Sequence, residues 1–177
     1  AVRSTFASVV WSHKIQEKQA DIYSMQFKCM EMAKIISASL TSVGIVSLIF
    51  TDQVWIKVLS ALISFVSVFV SAFFKSFDLQ TMVNAHKSTA NRLLSIRDDL
   101  KVLLLKIKLQ QDAVTELTKQ YEKLIKTLNG IYIDAPCTTD KAVEQARIAL
   151  NVTQDNSFSD KEINSYLPES LKKKVNE

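Results

Sequence analysis

The chain has 177 residues, a formal net charge of +4, and only two glycines and two prolines. A fold rich in tight turns needs more of both residue types, so the composition points to a few long helices rather than strands and hairpin turns. Charge is spread as +2 over residues 1–34, zero over 35–74 and +2 over 75–177; no strongly basic face stands out, and nucleic-acid binding has no support.

Residues 4–34 contain neither glycine nor proline and are expected to be helical, running unbroken into the segment that follows. Trp11, Ile15, Ile22, Met25, Cys29, Met32 and Ile36 recur near one face, which makes 1–34 an amphipathic N-terminal helix. The segment is too long and too mixed in charge to read as a signal peptide.

Charge then almost vanishes. Residues 35–74 hold only two charged groups, Asp52 and Lys57, and these divide the stretch into two uncharged runs of seventeen residues, 35–51 and 58–74. Seventeen helical residues rise about 26 Å, slightly short of a ~30 Å hydrocarbon core, and flanking lysines can snorkel to supply the rest. A buried hairpin in a soluble protein would show one apolar face instead of an unbroken uncharged run. Because backbone groups in lipid must bond internally, both runs are expected to be helices joined by a short loop, Asp52–Lys57, with Trp55 as an interfacial anchor. Lys28 and Lys34 precede the first span, and Lys75 and Lys87 follow the second, whereas the loop offers only Lys57. The positive-inside rule therefore puts both termini in the cytoplasm. The expected fold class is an all-α membrane protein: a two-transmembrane helical hairpin with long cytoplasmic helices and a short helical tail.

The hairpin carries a pattern of hydroxyls. Ser60, Ser64, Ser67 and Ser71 fall within about 60° of one face at ~100° per residue. Ser37, Thr41 and Gly44 repeat the spacing in the first span. Phe65, Val66, Phe69 and Phe73 occupy other faces, suited to lipid or to the partner span. Small hydroxyl residues let membrane helices approach closely, and they can also line a water-filled path once several hairpins assemble. The spacing leaves both roles open.

Beyond the hairpin, 75–130 reads as a long cytoplasmic helix. Leu79, Val83, His86, Ala90, Leu93, Arg97, Leu100, Leu104 and Ile107 alternate by four and three, continuing through Gln111 and Val114. Such a seam packs helix against helix. Residues 4–34 can cover part of it if the chain folds back, and other copies would cover the rest, so self-association is expected. Asn129-Gly130 is a candidate stop. Residues 131–177 then form a connector (IYIDAPC) and short helices, one capped by Thr139 and one opened by the capping-box pair Ser159 and Glu162, with an interruption at Pro168 and a basic tip at 172–174.

Chemistry is sparse along the chain. His13 and His86 lack metal-ligand spacing, and His86 lies on the seam, where a packing role suits it. Cys29 and Cys137 have no partner at zinc or redox spacing. Asn151-Val152-Thr153 fits a glycosylation acceptor that a cytoplasmic position would leave unused. No glycine-rich phosphate loop is present, so neither an enzymatic activity nor a cofactor is expected.

Asn84-Ala85-His86-Lys87-Ser88-Thr89-Ala90, followed by Leu93, Ile96-Arg97 and Leu100, then Tyr121 with Ile125 and finally Leu167-Pro168, resembles the SLATT family of bacterial two-transmembrane effectors. The resemblance implies a membrane effector of a bacterial anti-phage conflict system. Such an effector would oligomerise and permeabilise the inner membrane when a nucleotide-generating or nucleotide-sensing partner activates it. The alternatives are a non-conducting membrane-anchored scaffold and a phage holin-like lesion former. The implied partners are the lipid bilayer, further copies of the chain and the signalling protein.

Overall fold

The first helix, α1, runs from Val2 to Phe50 without interruption. Its 49 residues give a rod about 74 Å long at 1.5 Å per residue. The computed structural model describes residues 1–50, 53–76, 78–155 and 158–173, with side chains throughout these except at 45, 47–50 and 73–76. Along the chain follow α2 (Val54–Ser76), α3 (Leu79–Leu109), α4 (Val114–Asp134), α5 (Asp140–Asn151), α6 (Asp160–Tyr166) and a 3-10 turn (Glu169–Leu171). No strand occurs among the described residues. Asp52 of the expected loop, the side chain of Phe73 and Lys174 of the basic tip lie outside what is described.

α1 is the spine, and the chain returns along it. Gly44 and Thr41 of α1 meet Ser60 and Ser67 of α2, so the two helices run antiparallel. α3 continues in the same direction along the first half of α1, placing His86 beside Gln16. Between α2 and α3 a new helix start is set at Asp78, whose carboxylate accepts a hydrogen bond from the Thr81 N–H at 3.0 Å. That cap holds the Asp78 carboxyl below the usual carboxylate range.

The expected single helix over 75–130 is two helices folded against each other. α3 ends at Leu109 because Gln110 takes a left-handed conformation, φ 52° and ψ 37°. The Gln110 and Gln111 N–H groups then bond back to Ile107 O and Lys106 O, a Schellman motif that satisfies two terminal carbonyls. α4 starts at Val114 and runs back along α3, straight through Asn129-Gly130 to Asp134. The connector is therefore only 135–139. Thr139 caps α5 and the Ser159–Glu162 capping box opens α6.

The core explains where the seam points. Val9 of α1, Leu93, Ile96 and Leu100 of α3, and Leu128 and Ile131 of α4 form one buried cluster, with Phe6, Tyr121 and Leu124 packed against it. Leu79, Val83, His86 and Ala90 are also buried. From Leu79 to Leu100 the seam is covered within one chain, by α1 and by α4, so it does not need further copies. Arg97 and Leu104 are half-buried and Ile107 is exposed. α1 also differs from expectation. Its buried face carries Val9, His13, Gln16, Gln19 and Ala20, while Met25, Cys29 and Met32 of the apolar stripe are exposed.

Candidate functional site in the hairpin and its polar anchor

The hairpin has two contrasting surfaces. Val54–Ala72 of α2 is long and apolar enough to cross a membrane, and only 6% of that stretch is buried. A core helix of a soluble protein would be largely covered; here Val58, Leu62, Phe65, Val66 and Phe69 face outward. No other helix among the described residues is both as long and as apolar as a span requires. The first expected span, 35–51, lies partly outside the described residues, at the side chains of 45 and 47–50 and at 51.

Three hydroxyls of this segment are occupied. Ser39, Thr41 and Ser42 donate to the carbonyls of Ile35, Ser37 and Ala38, at 2.8, 2.9 and 3.0 Å. Back-bonding of this kind hides polar groups that would otherwise face lipid. Ile35, Ile36, Leu40, Val43 and Val46 of the same segment are exposed.

The serine stripe of α2 faces α1. Ser60 is buried, and its hydroxyl lies 3.4 Å from Gly44 O. A Cβ at Gly44 would come within 3.2 Å of Ser60 Oγ, so the glycine permits this close approach. Ser67 Oγ is 2.9 Å from Thr41 Oγ1. Ser64 is half-buried and Ser71 exposed. Ser71 lines an open cleft of about 520 Å³ together with Lys34, Ala38, Thr41 and Ser67. Of the sequence-derived residues the fold thus joins Thr41, Gly44, Ser60 and Ser67 into one contact and leaves Ser71 at its edge; among the described residues no polar contact joins Ser37 to α2.

The body is tied to α1 by a buried polar cluster that sequence reasoning missed. Gln16 receives His86 Nδ1 on its Oε1 and donates its Nε2 to Pro136 O at 3.2 Å. Gln19 Oε1 accepts from both the N–H and the hydroxyl of Thr139, each at 2.8 Å. Lys14, almost fully buried, pairs with Glu17 at 2.7 Å and Asp155 at 3.7 Å; Lys18 reaches Asp155 at 3.8 Å. The Asp155 carboxyl is held below its ordinary range by the Thr153 hydroxyl and then by the two lysines. Burial lowers the pKa of His13 and of His86; for His13, Glu17 and Asp98 oppose the shift while Arg97 and Lys14 add to it. The signal in the sequence is the polar row His13, Gln16, Gln19, at helical spacing on a face that apolar periodicity passes over.

Among the described residues no group of three His, Cys, Asp or Glu side chains is placed to hold a metal ion. Cys29 and Cys137 are free, exposed thiols. What the geometry offers is a lipid-compatible hairpin continuous with a polar-pinned helical body.

A family profile described as SMODS and SLOG-associating 2TM effector domain family 4 matches residues 1–162. The chain belongs to this family. The matched region runs from the start of α1 into α6, so hairpin and body together make up the SLATT domain. By the family's description the domain is a two-transmembrane effector associated with SMODS and SLOG components. No curated protein and no solved structure matches the chain.

Proposed function

We propose that this SLATT domain is a non-enzymatic membrane effector of a bacterial conflict system. In this reading both the C-terminal part of α1 and α2 cross the inner membrane, several copies assemble, and the assembly makes the membrane leaky when a nucleotide-signal partner engages the body. The carrying observation is the outward-facing apolar surface of Val54–Ala72, on a helix packed antiparallel to a segment of α1 in which the Ser39, Thr41 and Ser42 hydroxyls are bonded to the helix's own backbone. Such a pair presents apolar groups to lipid and hides its polar groups, which meets the demand a bilayer makes of a spanning structure. α1 is the mechanical link, since one unbroken helix joins the membrane end to the polar cluster of the body. A shift of the body is therefore transmitted to Thr41 and Gly44 as motion of a rod. With the terminal-side lysines in the cytoplasm, α3–α5 lie there too and Trp55 lies at the opposite interface.

Packing of Ser60 on Gly44 and of Ser67 on Thr41 supports a second reading, a non-conducting scaffold whose hydroxyls serve only to hold the hairpin. Dye release from liposomes carrying the purified protein, with and without its signalling partner, separates the two. Release on activation, from a species larger than a monomer by mass photometry, is expected for the effector. An intact dye load under both conditions would leave the scaffold. Orientation is checked in cells by cysteine labelling: a probe at Gln53 should react from outside and one at Asn129 should not.

A further inference from the structure

On α1 one row of residues emerges from the body and runs on through the hairpin. Met25, Cys29, Met32, Ile36 and Ser39 follow one another by steps of four, three, four and three, and the same steps lead on to Val46. At ~100° per residue this row points about 140° away from Thr41 and Gly44, the face that meets α2. Every member is exposed. Nearer the N-terminus α5 packs on α1, and Ile22 is half-buried there beside Lys141 and Gln145. Met25 and Cys29 stand at the open edge of the cleft that α5 leaves.

The row crosses the edge of the membrane without a change of step. Met25 and Cys29 lie ten and six residues before Ile35, about 15 and 9 Å outside the span, so lipid covers only the far end. A water-soluble partner would cover only the near end. The whole row is matched by a continuous helix that crosses the same boundary at the same depth. Among the described residues α1 alone does so, because the return limb is two helices, α2 ending at Ser76 and α3 beginning at Leu79. A row that repeats every 3.5 residues is also what two helices need to stay in contact over the ~32 Å from Met25 to Val46, as a left-handed supercoil. No charge falls within it, and Lys28 stands exposed at its rim. Ser39 is small and its hydroxyl is spent on Ile35 O, so it brings no unsatisfied group into such a contact. Seven large apolar residues of α1 between Met25 and Val46 are at least half exposed, all on this side of the helix. That is surface on the scale a specific interface takes from each partner, about 800 Å².

We propose that the Met25–Val46 row of α1 packs against the same row of a second copy, in parallel, about an axis along the membrane normal. This rests on the membrane crossing and self-association of the effector reading, and it names the contact that holds the copies together. Shared topology places each residue at the depth of its own counterpart, so Cys29 meets Cys29 and Ile36 meets Ile36. The contact leaves the α2 side of α1, with Thr41 and Gly44, to the hairpin itself.

The test uses the full chain with Cys137→Ser, reconstituted in vesicles and mildly oxidised, so that Cys29 is its one thiol. A disulfide-linked dimer is expected. With Cys29→Ser added, the thiol is moved around the helix at matched depth. Met32→Cys should link at least fivefold faster than Glu31→Cys outside the span, and Ile36→Cys at least fivefold faster than Ala38→Cys within it. Cys29→Glu with Met32→Glu sets like charges against each other and should slow linking through Met25→Cys at least fivefold. Equal linking on and off the row, while mass photometry still finds oligomers, would overturn the α1 contact and leave self-association standing. Monomers that link at no position would remove both.

Discussion

His86 of α3 and Gln16 of α1 share a hydrogen bond, Nδ1 to Oε1 at 2.5 Å, sealed inside the helical body. An amide oxygen only accepts, so the imidazole Nδ1 must carry the proton. The same Gln16 donates to Pro136 O, which makes one side chain the junction of α1, α3 and the connector. His86→Ala strands the Gln16 oxygen in a dry site and opens a cavity. A loss of about 1–3 kcal/mol is expected for the unsatisfied oxygen alone, seen as a lowered urea midpoint by circular dichroism in detergent.

Acid should weaken the same junction. Burial holds the pKa of both His13 and His86 below the ordinary value of 6.5 that applies in an unfolded chain. The unfolded state therefore takes up protons first as pH falls. Stability is fully present above 6.5 and declines below it, until the folded histidines also protonate. Melting temperature should drop between about pH 7.5 and 5.5, and His13→Asn should flatten that drop. A wild-type melting temperature that holds steady across this window would contradict the role given to the two histidines.

Two positions show why the helix boundaries are hard to read from sequence. At Gln110 the chain ends α3 in a left-handed conformation without the glycine that usually marks it, so the periodicity runs straight across the turn. At Gly130 a glycine with the look of a stop lies inside α4, where an added Cβ would meet nothing within 4 Å. Both boundaries have one physical cause: the fold-back of α4 onto α3 outweighs local propensity at each site. Gln110→Gly and Gly130→Ala should each stabilise the body by about 0.5–1 kcal/mol, additively, since one acts on a turn and the other on a distant helix interior. Thermal melts of the two variants and their combination check this.

Other parts of the fold are legible in the sequence. The unbroken α1, the Thr139 cap and the Ser159–Glu162 box follow from short-range chemistry that the sequence carries locally. The seam residues are legible as a packing stripe, but what they pack on is not, because the covering face of α1 is polar at His13, Gln16 and Gln19. Leu100, with no exposed surface, sits at the centre of that intrachain core. Leu100→Ala should therefore cost about 2–5 kcal/mol, melting the body while α2 remains protected from protease by the bilayer. Retention of a wild-type melt would show that the seam lies elsewhere in the working state.

The serine stripe divides into two roles that substitution can separate. Ser67 touches Thr41 and Ser60 abuts Gly44, so these two positions hold α2 against α1. Ser71 is exposed on the open cleft it shares with Thr41 and Ala38, at the edge of the interhelical contact. If assembled hairpins conduct, water needs hydroxyl partners on the open side of the stripe, and Ser71 supplies one. Ser71→Leu should then cut dye release several-fold while leaving insertion and oligomer size unchanged, since Leu lowers the cost of insertion. Ser67→Leu should instead drive its side chain into Thr41, part the two helices and abolish both assembly and release. Ser67→Ala keeps the small volume, so it should preserve assembly, losing only the bond to Thr41. Full dye release from Ser71→Leu would mean that this edge of the stripe does not face the path, and loss of assembly in the same variant would make Ser71 a packing residue like its neighbours.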